Sequence, residues 1–310
     1  MSPKKSISDL SGELREVINS SISLRNQVYQ QKAKGAWDRL WASMDALDDA
    51  QLAIEKFQKA SSISYLELYG LLQAFIVQQD SVNHIRQTTL NAPLIKWDKA
   101  EPKLNQIRYL RNETVGHPTD IRTGKTIVYC NINRRSVSKT SFEYMIWSQA
   151  GAQHKTVDVT DVIKTQDVEV ARLIRKIIAD IKAHEVRFKK QFSGKKLKTD
   201  YSQISHYEFE KLYLYQNNPE IAQIMFGLIK KKYAELRTEL AKRYGDFSTT
   251  INVGGLKIVI DELDELVKRV GTKLNEGVPD AFDFNVYVEN LDSKWKELGE
   301  MIDETDEKFS

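Results

Sequence analysis

A single cysteine, Cys130, stands in 310 residues, which excludes an internal disulfide and any cysteine-based zinc cluster. Long hydrophobic runs are missing as well. The longest apolar stretches, residues 71–77 and 256–260, fall far below the roughly 20 residues that a membrane-spanning helix requires. Met1-Ser2-Pro3-Lys4-Lys5 leads into a polar helical pattern with no apolar signal core, so the expectation is a cytoplasmic protein without membrane association. His84, His154, His184 and His206 are dispersed, and none pairs with another at a metal-ligand spacing; neither a metal nor a cofactor is implied. Gly254-Gly255 precedes a helical pattern, but no lysine–serine pair and no G-x-G-x-x-G accompanies it. It reads as a turn.

What is present is the composition of a folded globular chain, 41% hydrophobic and 29% charged. The net charge of +3 conceals an asymmetry. Residues 261–310 hold 15 Asp/Glu against 6 Lys/Arg, which leaves 40 basic and 28 acidic residues in 1–260. A basic body with an acidic arm fits a polyanion partner, or an arm that competes for the same surface; two differently solvated helical surfaces would leave the same imprint.

Helical periodicity dominates, and the fold class it predicts is mainly α. Ser11 to about Gln58 carries apolar residues at helical spacing, and Ser64 with Glu67 forms a capping box ahead of a helix reaching about Thr88. Pro93 and Pro102 punctuate a connector before a helix from about Lys103 to Val115. The pattern then changes. Residues 125–133 and 141–147 are short, rich in β-branched and aromatic side chains, and joined by a polar turn carrying Arg134 and Arg135; 154–159 adds a possible third strand. Beyond Asp167 helices resume: Val170, Ile174, Ile177 and Ile181 share one face, Ser205 and Glu208 form a second capping box, and Pro219 opens another helix. Val259, Leu263, Leu266, Val270 and Leu274, then Val288, Leu291, Trp295, Leu298 and Ile302, step by three and four as bundle or coiled-coil seams. The expected organisation is a helical domain over 1–160 with a β insertion at about 125–159, then a helical domain over 161–310 with an acidic last arm.

The most distinctive chemistry lies in the segment Arg108-Tyr109-Leu110-Arg111-Asn112-Glu113-Thr114-Val115-Gly116-His117-Pro118. An imidazole moves protons near neutral pH, and a guanidinium holds phosphate. A bland reading accounts for the same letters: Gly116 ends a helix, His117 suits a helix C-terminus, and Pro118 stops the chain from continuing.

Arg111, the polar Asn112, and His117 after five intervening residues resemble the signature of the HEPN superfamily, and the likeness covers roughly residues 40–120. The resemblance implies an antiparallel helical bundle, commonly a homodimer whose two motifs face each other. It also implies a metal-independent endoribonuclease, often a toxin or antiviral effector, although some members only bind. Carried over by position, His117 is the general acid–base, Arg111 the phosphate clamp, and Asn112 orients either group. Thr119 stands where some toxins of the superfamily carry a tyrosine that a partner enzyme modifies, so that regulation is not implied. Candidate RNA contacts are Arg108, Arg134, Arg135, Lys195 and Lys196, with Tyr129, Tyr144 and Trp147 placed to stack on bases. Two other classes of function stay open: a silent module that binds an antitoxin or effector protein, and a structural helical protein that self-associates through its seams.

Overall fold

The computed structural model describes residues 5–30, 35–116, 121–123, 126–148, 151–247, 254–276 and 280–310. The fold is mainly α-helical with one small antiparallel sheet. Two compact units divide the chain, one of residues 1–24 and 30–183, the other of 25–29 and 184–310. The division falls inside a helix at 183/184, not near residue 160. The reason is that Val170, Ile174, Ile177 and Ile181, which share one face of that helix, are all buried beyond the expected boundary.

In the first unit the helices are α1 (Ile7–Ser20), α3 (Ala36–Lys59), α4 (Tyr65–Leu90), α5 (Trp97–Ala100) and α6 (Pro102–Arg111), while α2 (Ile22–Gln30) is divided, with residues 25–29 assigned to the second unit. Ser64 and Glu67 close the expected capping box on α4, and Asn91 ends that helix with a positive φ of 47°. Buried apolar residues cover a wide arc of α4, from Ala74 and Ile85 through Leu71 and Phe75 to Leu72 and Ile76. A helix so patterned belongs at the centre. Side-chain bonds fix its neighbours as antiparallel: Gln51 and Arg39 of α3 reach Gln78 and Thr88, while Arg108 and Arg111 of α6 reach Asp80 and Gln73. α7 (Val159–Lys190) completes the surround through Gln166.

The sheet has strand order β1 (Ile121–Thr123), β2 (Thr126–Ile132), β3 (Ser141–Ser148) and β4 (Gly151–Asp158), all antiparallel. The last three strands are those expected, and β1 is an addition. Cys130, Ile132, Phe142 and Tyr144 face inward, as period-two alternation requires. β4 is an edge strand and is exposed along nearly its whole length.

The second unit holds α8 (Leu197–Tyr201), α9 (His206–Leu212), α10 (Pro219–Tyr244), α11 (Gly254–Asn275) and α12 (Ala281–Lys308). The periodic residues of α11 and α12 are spent within the chain: Val259, Leu263, Val270 and Leu274 are buried, as are Val288, Leu291, Trp295, Leu298 and Ile302. The acidic arm also finds its partners here. Asp306 accepts from the backbone N–H groups of Leu197 and Lys198 at 2.9 Å each, and Asp303 pairs with Lys198 at 2.7 Å. Tyr201 stacks on Trp295 and lies flat against Gly299, where a Cβ would come within 2.5 Å of its ring.

Candidate functional site

The helix expected to run to Val115 ends at Arg111, and the chain widens into a single π-helical turn over Asn112–Gly116. Such turns insert one residue into the helical repeat and often mark functional positions. Here the turn is pinned from two sides. Thr114 Oγ1 donates to the Leu110 carbonyl at 2.7 Å, and Glu113 accepts the Tyr144 hydroxyl at 2.8 Å. Burial and that carboxylate push the Tyr144 phenol well above its ordinary pKa. Tyr144 is therefore an anchor between sheet and turn and is not open for stacking.

Arg111 folds back over this turn. Its Nε and Nη2 both donate to Gln73 Oε1, at 3.1 and 2.8 Å, and its Nη1 donates to Asn112 Oδ1 at 3.0 Å. Every one of these acceptors is a neutral amide. No carboxylate among the described residues pairs with Arg111, so among them its position is fixed by amides alone. The guanidinium lies against the backbone of Gly116, where an added Cβ would stand 2.4 Å from Nη1. A Cβ at 116 would have to displace the end of the Arg111 side chain. Asn112 thus orients Arg111, and Gly116 makes room for it. His117, the other half of the pair, lies outside the described residues, as does Thr119.

Arg108 takes a different role. It donates to Asp80 at 2.8 Å and to Gln79 at 3.4 Å, and lies over the Trp97 ring. With a carboxylate and an indole already engaged, it ties α6 to α4. Arg134 and Arg135 sit on a short 3₁₀ turn between β2 and β3, capped by Asn133. The turn brings them to the first turns of α4, with Arg134 over the Tyr65 ring at 5.5 Å. Tyr65 and Tyr69 share a hydroxyl–hydroxyl bond of 2.8 Å, and burial raises the Tyr69 pKa to about 12. These tyrosines, Thr114, Asn131 and the two arginines line an open cavity of about 690 Å³. Tyr65, Tyr69 and Gln73 are spaced by four on α4, so Arg134 and Arg111 stand on one stripe, about 12 Å apart along the axis. The tyrosines were not singled out in the sequence. Their spacing with Gln73 was the available signal, but only the sheet's placement gives it meaning.

Tyr129 and Trp147, expected near the arginines, face each other across β2 and β3 and are 50% and 47% exposed. Lys195 and Lys196 belong to the second unit, where Lys195 already pairs with Glu239 at 2.9 Å. His206 pairs with Asp292 at 3.1 Å. No group of three or more metal-ligating side chains comes together among the described residues.

Behind the site runs a chain of amides that the sequence did not reveal. Arg108 donates to Gln79, Gln79 to Gln166 at 2.9 Å, Gln166 to Gln78 at 2.8 Å, Gln78 to Gln51 at 2.8 Å, and Gln51 to Glu55 at 3.2 Å. Gln78, Gln79 and Gln166 are wholly buried. Every amide donates in the same direction, from a cation at one end to a carboxylate at the other. Aligned dipoles of this kind reinforce one another in a low-dielectric interior, and they fix which end of each amide is oxygen. The consequence for the site is rigidity: α3, α4, α6 and α7 are held in one register, and Arg108 and Gln73 with them.

No protein-family model matches this chain, and no curated protein or solved structure is significantly similar to it.

Proposed function

We propose that this protein is a metal-independent endoribonuclease of HEPN type that acts as a homodimer, a toxin or phage-defence effector. Arg111 carries the reading. It is a guanidinium oriented by three bonds to neutral amides, with no carboxylate partner among the described residues and with its face against the residue preceding His117. In that arrangement Arg111 binds the scissile phosphate and stabilises the charge that builds on it, which electrostatic preorganisation makes effective. His117 takes the proton from the ribose 2′-hydroxyl; the 2′-oxygen bonds to phosphorus, the bond to the 5′-oxygen breaks, and an imidazolium from the motif protonates that leaving oxygen. The products are a 2′,3′-cyclic phosphate and a 5′-hydroxyl. Arg134, Arg135 and the Tyr65–Tyr69 cavity support the reading as a place for the flanking strand, with charge for phosphate and rings for bases.

The test is incubation of purified protein with mixed RNA in EDTA, beside Arg111→Ala and His117→Ala. Cleavage by the wild type alone, leaving cyclic-phosphate ends, is the expected result. Equal activity in all three preparations, or none from a folded wild-type protein, overturns it. A second reading, a non-catalytic module for a protein partner such as an antitoxin, draws on β4, whose exposed edge offers unpaired backbone groups to an incoming strand. It predicts that His117→Ala leaves partner capture intact while proline substitutions in β4 abolish it.

A further inference from the structure

Among the described residues none pairs with the outer edge of β4, and every position of the strand but Val157 is exposed, on both faces of the sheet. The ladder to β3 sets which backbone groups are already used. The Val159 N–H donates to the Thr140 carbonyl at 2.8 Å, and the register continues through Phe142–Val157, Tyr144–Lys155 and Ile146–Gln153. Antiparallel pairs alternate between bonded and unbonded. Gln153, Lys155 and Val157 therefore turn their N–H and C=O groups toward β3. Ala152, His154 and Thr156 turn theirs away.

Exposed edges are ordinarily blunted by a proline, a bulge, a very short strand or a charge set across the edge. β4 has none of these. It is eight residues long, carries no proline, and matches β3 one for one from Ser141–Asp158 to Ser148–Gly151. Its two charges are engaged elsewhere. Lys155 lies over the Tyr144 ring and 4.0 Å from Glu113, and Asp158 accepts from the Asp161 N–H at 2.9 Å at the start of α7.

A foreign strand added here would leave its own outer edge open. A second copy closes both edges at once, because a two-fold axis pairs the strand with itself. The residues also select the register, since bonded pairs must join Ala152, His154 and Thr156 with one another. Centring the axis on Lys155 would oppose two ammonium groups. Centring it on Gln153 would leave Thr156 opposite residue 150, outside the strand. Centring it on His154 opposes Ala152 to Thr156 and Lys155 to Gln153, with no two fixed charges facing each other.

We infer that β4 pairs with β4 of a second copy about a two-fold axis at His154, joining the two sheets into one. The inference extends the proposed homodimer, yet it rests on the strand edge and not on RNA cleavage. It also bears on the candidate site. Tyr144, which anchors the π-helical turn through Glu113, lies one strand in from the join. Antiparallel pairing keeps both inner faces on one side, so the two turns would flank the join, with β3 and its copy about 14 Å apart, three strand spacings.

The experiment is sedimentation of the full chain beside His154→Pro, with oxidative cross-linking of His154→Cys beside Thr156→Cys. The wild type is expected to be a dimer. His154→Pro removes one outward N–H from each copy, at a position that gives no bond to β3. The dimer should weaken about 10–100-fold with an unchanged circular dichroism spectrum. Cross-linking reads the register. Facing residues of a bonded pair stand about 5.5 Å apart, within reach of a disulfide, so His154→Cys should link to its own copy. The two copies of residue 156 would lie about 14 Å apart along the strands, so Thr156→Cys should not link. The wild type, whose lone Cys130 is buried, supplies the background. Arg111→Ala combined with His154→Cys should link equally, which tells a failure of pairing from a failure of RNA cleavage. A monomeric wild type, equal linking at 154 and 156, or a dimer that His154→Pro leaves intact overturns the inference; the first of these leaves the edge to a foreign strand.

Discussion

The two units bury polar groups in opposite ways. In the first, Gln51, Gln78, Gln79 and Gln166 join into one path that runs through the core between charged groups. In the second, the interior between α11 and α12 is an apolar seam, and buried polar groups are isolated anchors. The single Tyr233 hydroxyl hydrogen is shared between the Asp264 carboxylate at 2.8 Å and the Ile260 carbonyl at 3.0 Å. Arg243, wholly buried, donates to the carbonyls of Lys195 and Glu239 and lies over Phe192, and burial pulls its pKa below the ordinary arginine value. An isolated anchor closes locally on the backbone and demands little of its surroundings. A connected path is satisfied only when every member is in place. The first unit therefore accepts a constraint that an apolar core would not impose, and the candidate site stands at one end of it.

Substitutions can break this contrast, and the largest effect is expected in the path. Gln166→Leu strands the Gln78 amide oxygen, removes the stronger of two bonds from the Gln79 amide, and takes a second donor from the Phe75 carbonyl, all in the dry interior. A loss of about 3 kcal/mol in urea unfolding is expected. Gly116→Ala comes next. Its Cβ would displace the end of a flexible arginine and leave the core untouched, so the proposed RNA cleavage should fall about 100-fold, the scale of removing one oriented donor, with an unchanged melting temperature. Equal losses of stability and activity would mean that the turn is only structural.

Asp167→Asn should stabilise. Burial, and then the nearby Glu55 charge, raises Asp167 from 3.8 to about 6. A carboxyl whose folded pKa lies above its unfolded one weakens the native state as it ionises. Below about pH 4 both states are protonated and the variant gains nothing; between 4 and 6 the gain grows, reaching about 2 kcal/mol above pH 6. Thermal unfolding at pH 4 and pH 7 checks the sign. The smallest effect is expected from Arg243→Met in the second unit, about 1 kcal/mol, because an apolar chain of similar length replaces a buried cation whose one ion-pair partner, Glu239 at 3.8 Å, keeps Lys195 and Lys242. If that loss exceeded the loss in Gln166→Leu, the contrast between the units would fail.

Much of the secondary structure was legible in the sequence. The capping boxes at Ser64 and Ser205, the helix opened by Pro219 and the three main strands follow from local side-chain chemistry and periodicity, which act over a few residues. The seams of α11 and α12 were equally plain, yet the letters cannot say whether such a seam closes within a chain or between chains. The charge asymmetry was visible too, but not that Asp303 and Asp306 bind the start of α8.

Of the candidate site, the sequence by itself determined the arginine–asparagine–histidine segment and the glycine beside it, because these are neighbours along the chain. Tertiary structure decided the rest: that Arg108 is tied to Asp80 while Arg111, among the described residues, bonds to amides, that Arg134 reaches Tyr65 across about 70 residues of chain, and that four scattered glutamines align. Glutamines carry no periodic signature and no motif, and an amide has no preferred partner until packing removes the water that would otherwise satisfy it. Only the folded interior, by excluding that water, turns four ordinary polar residues into one directed path.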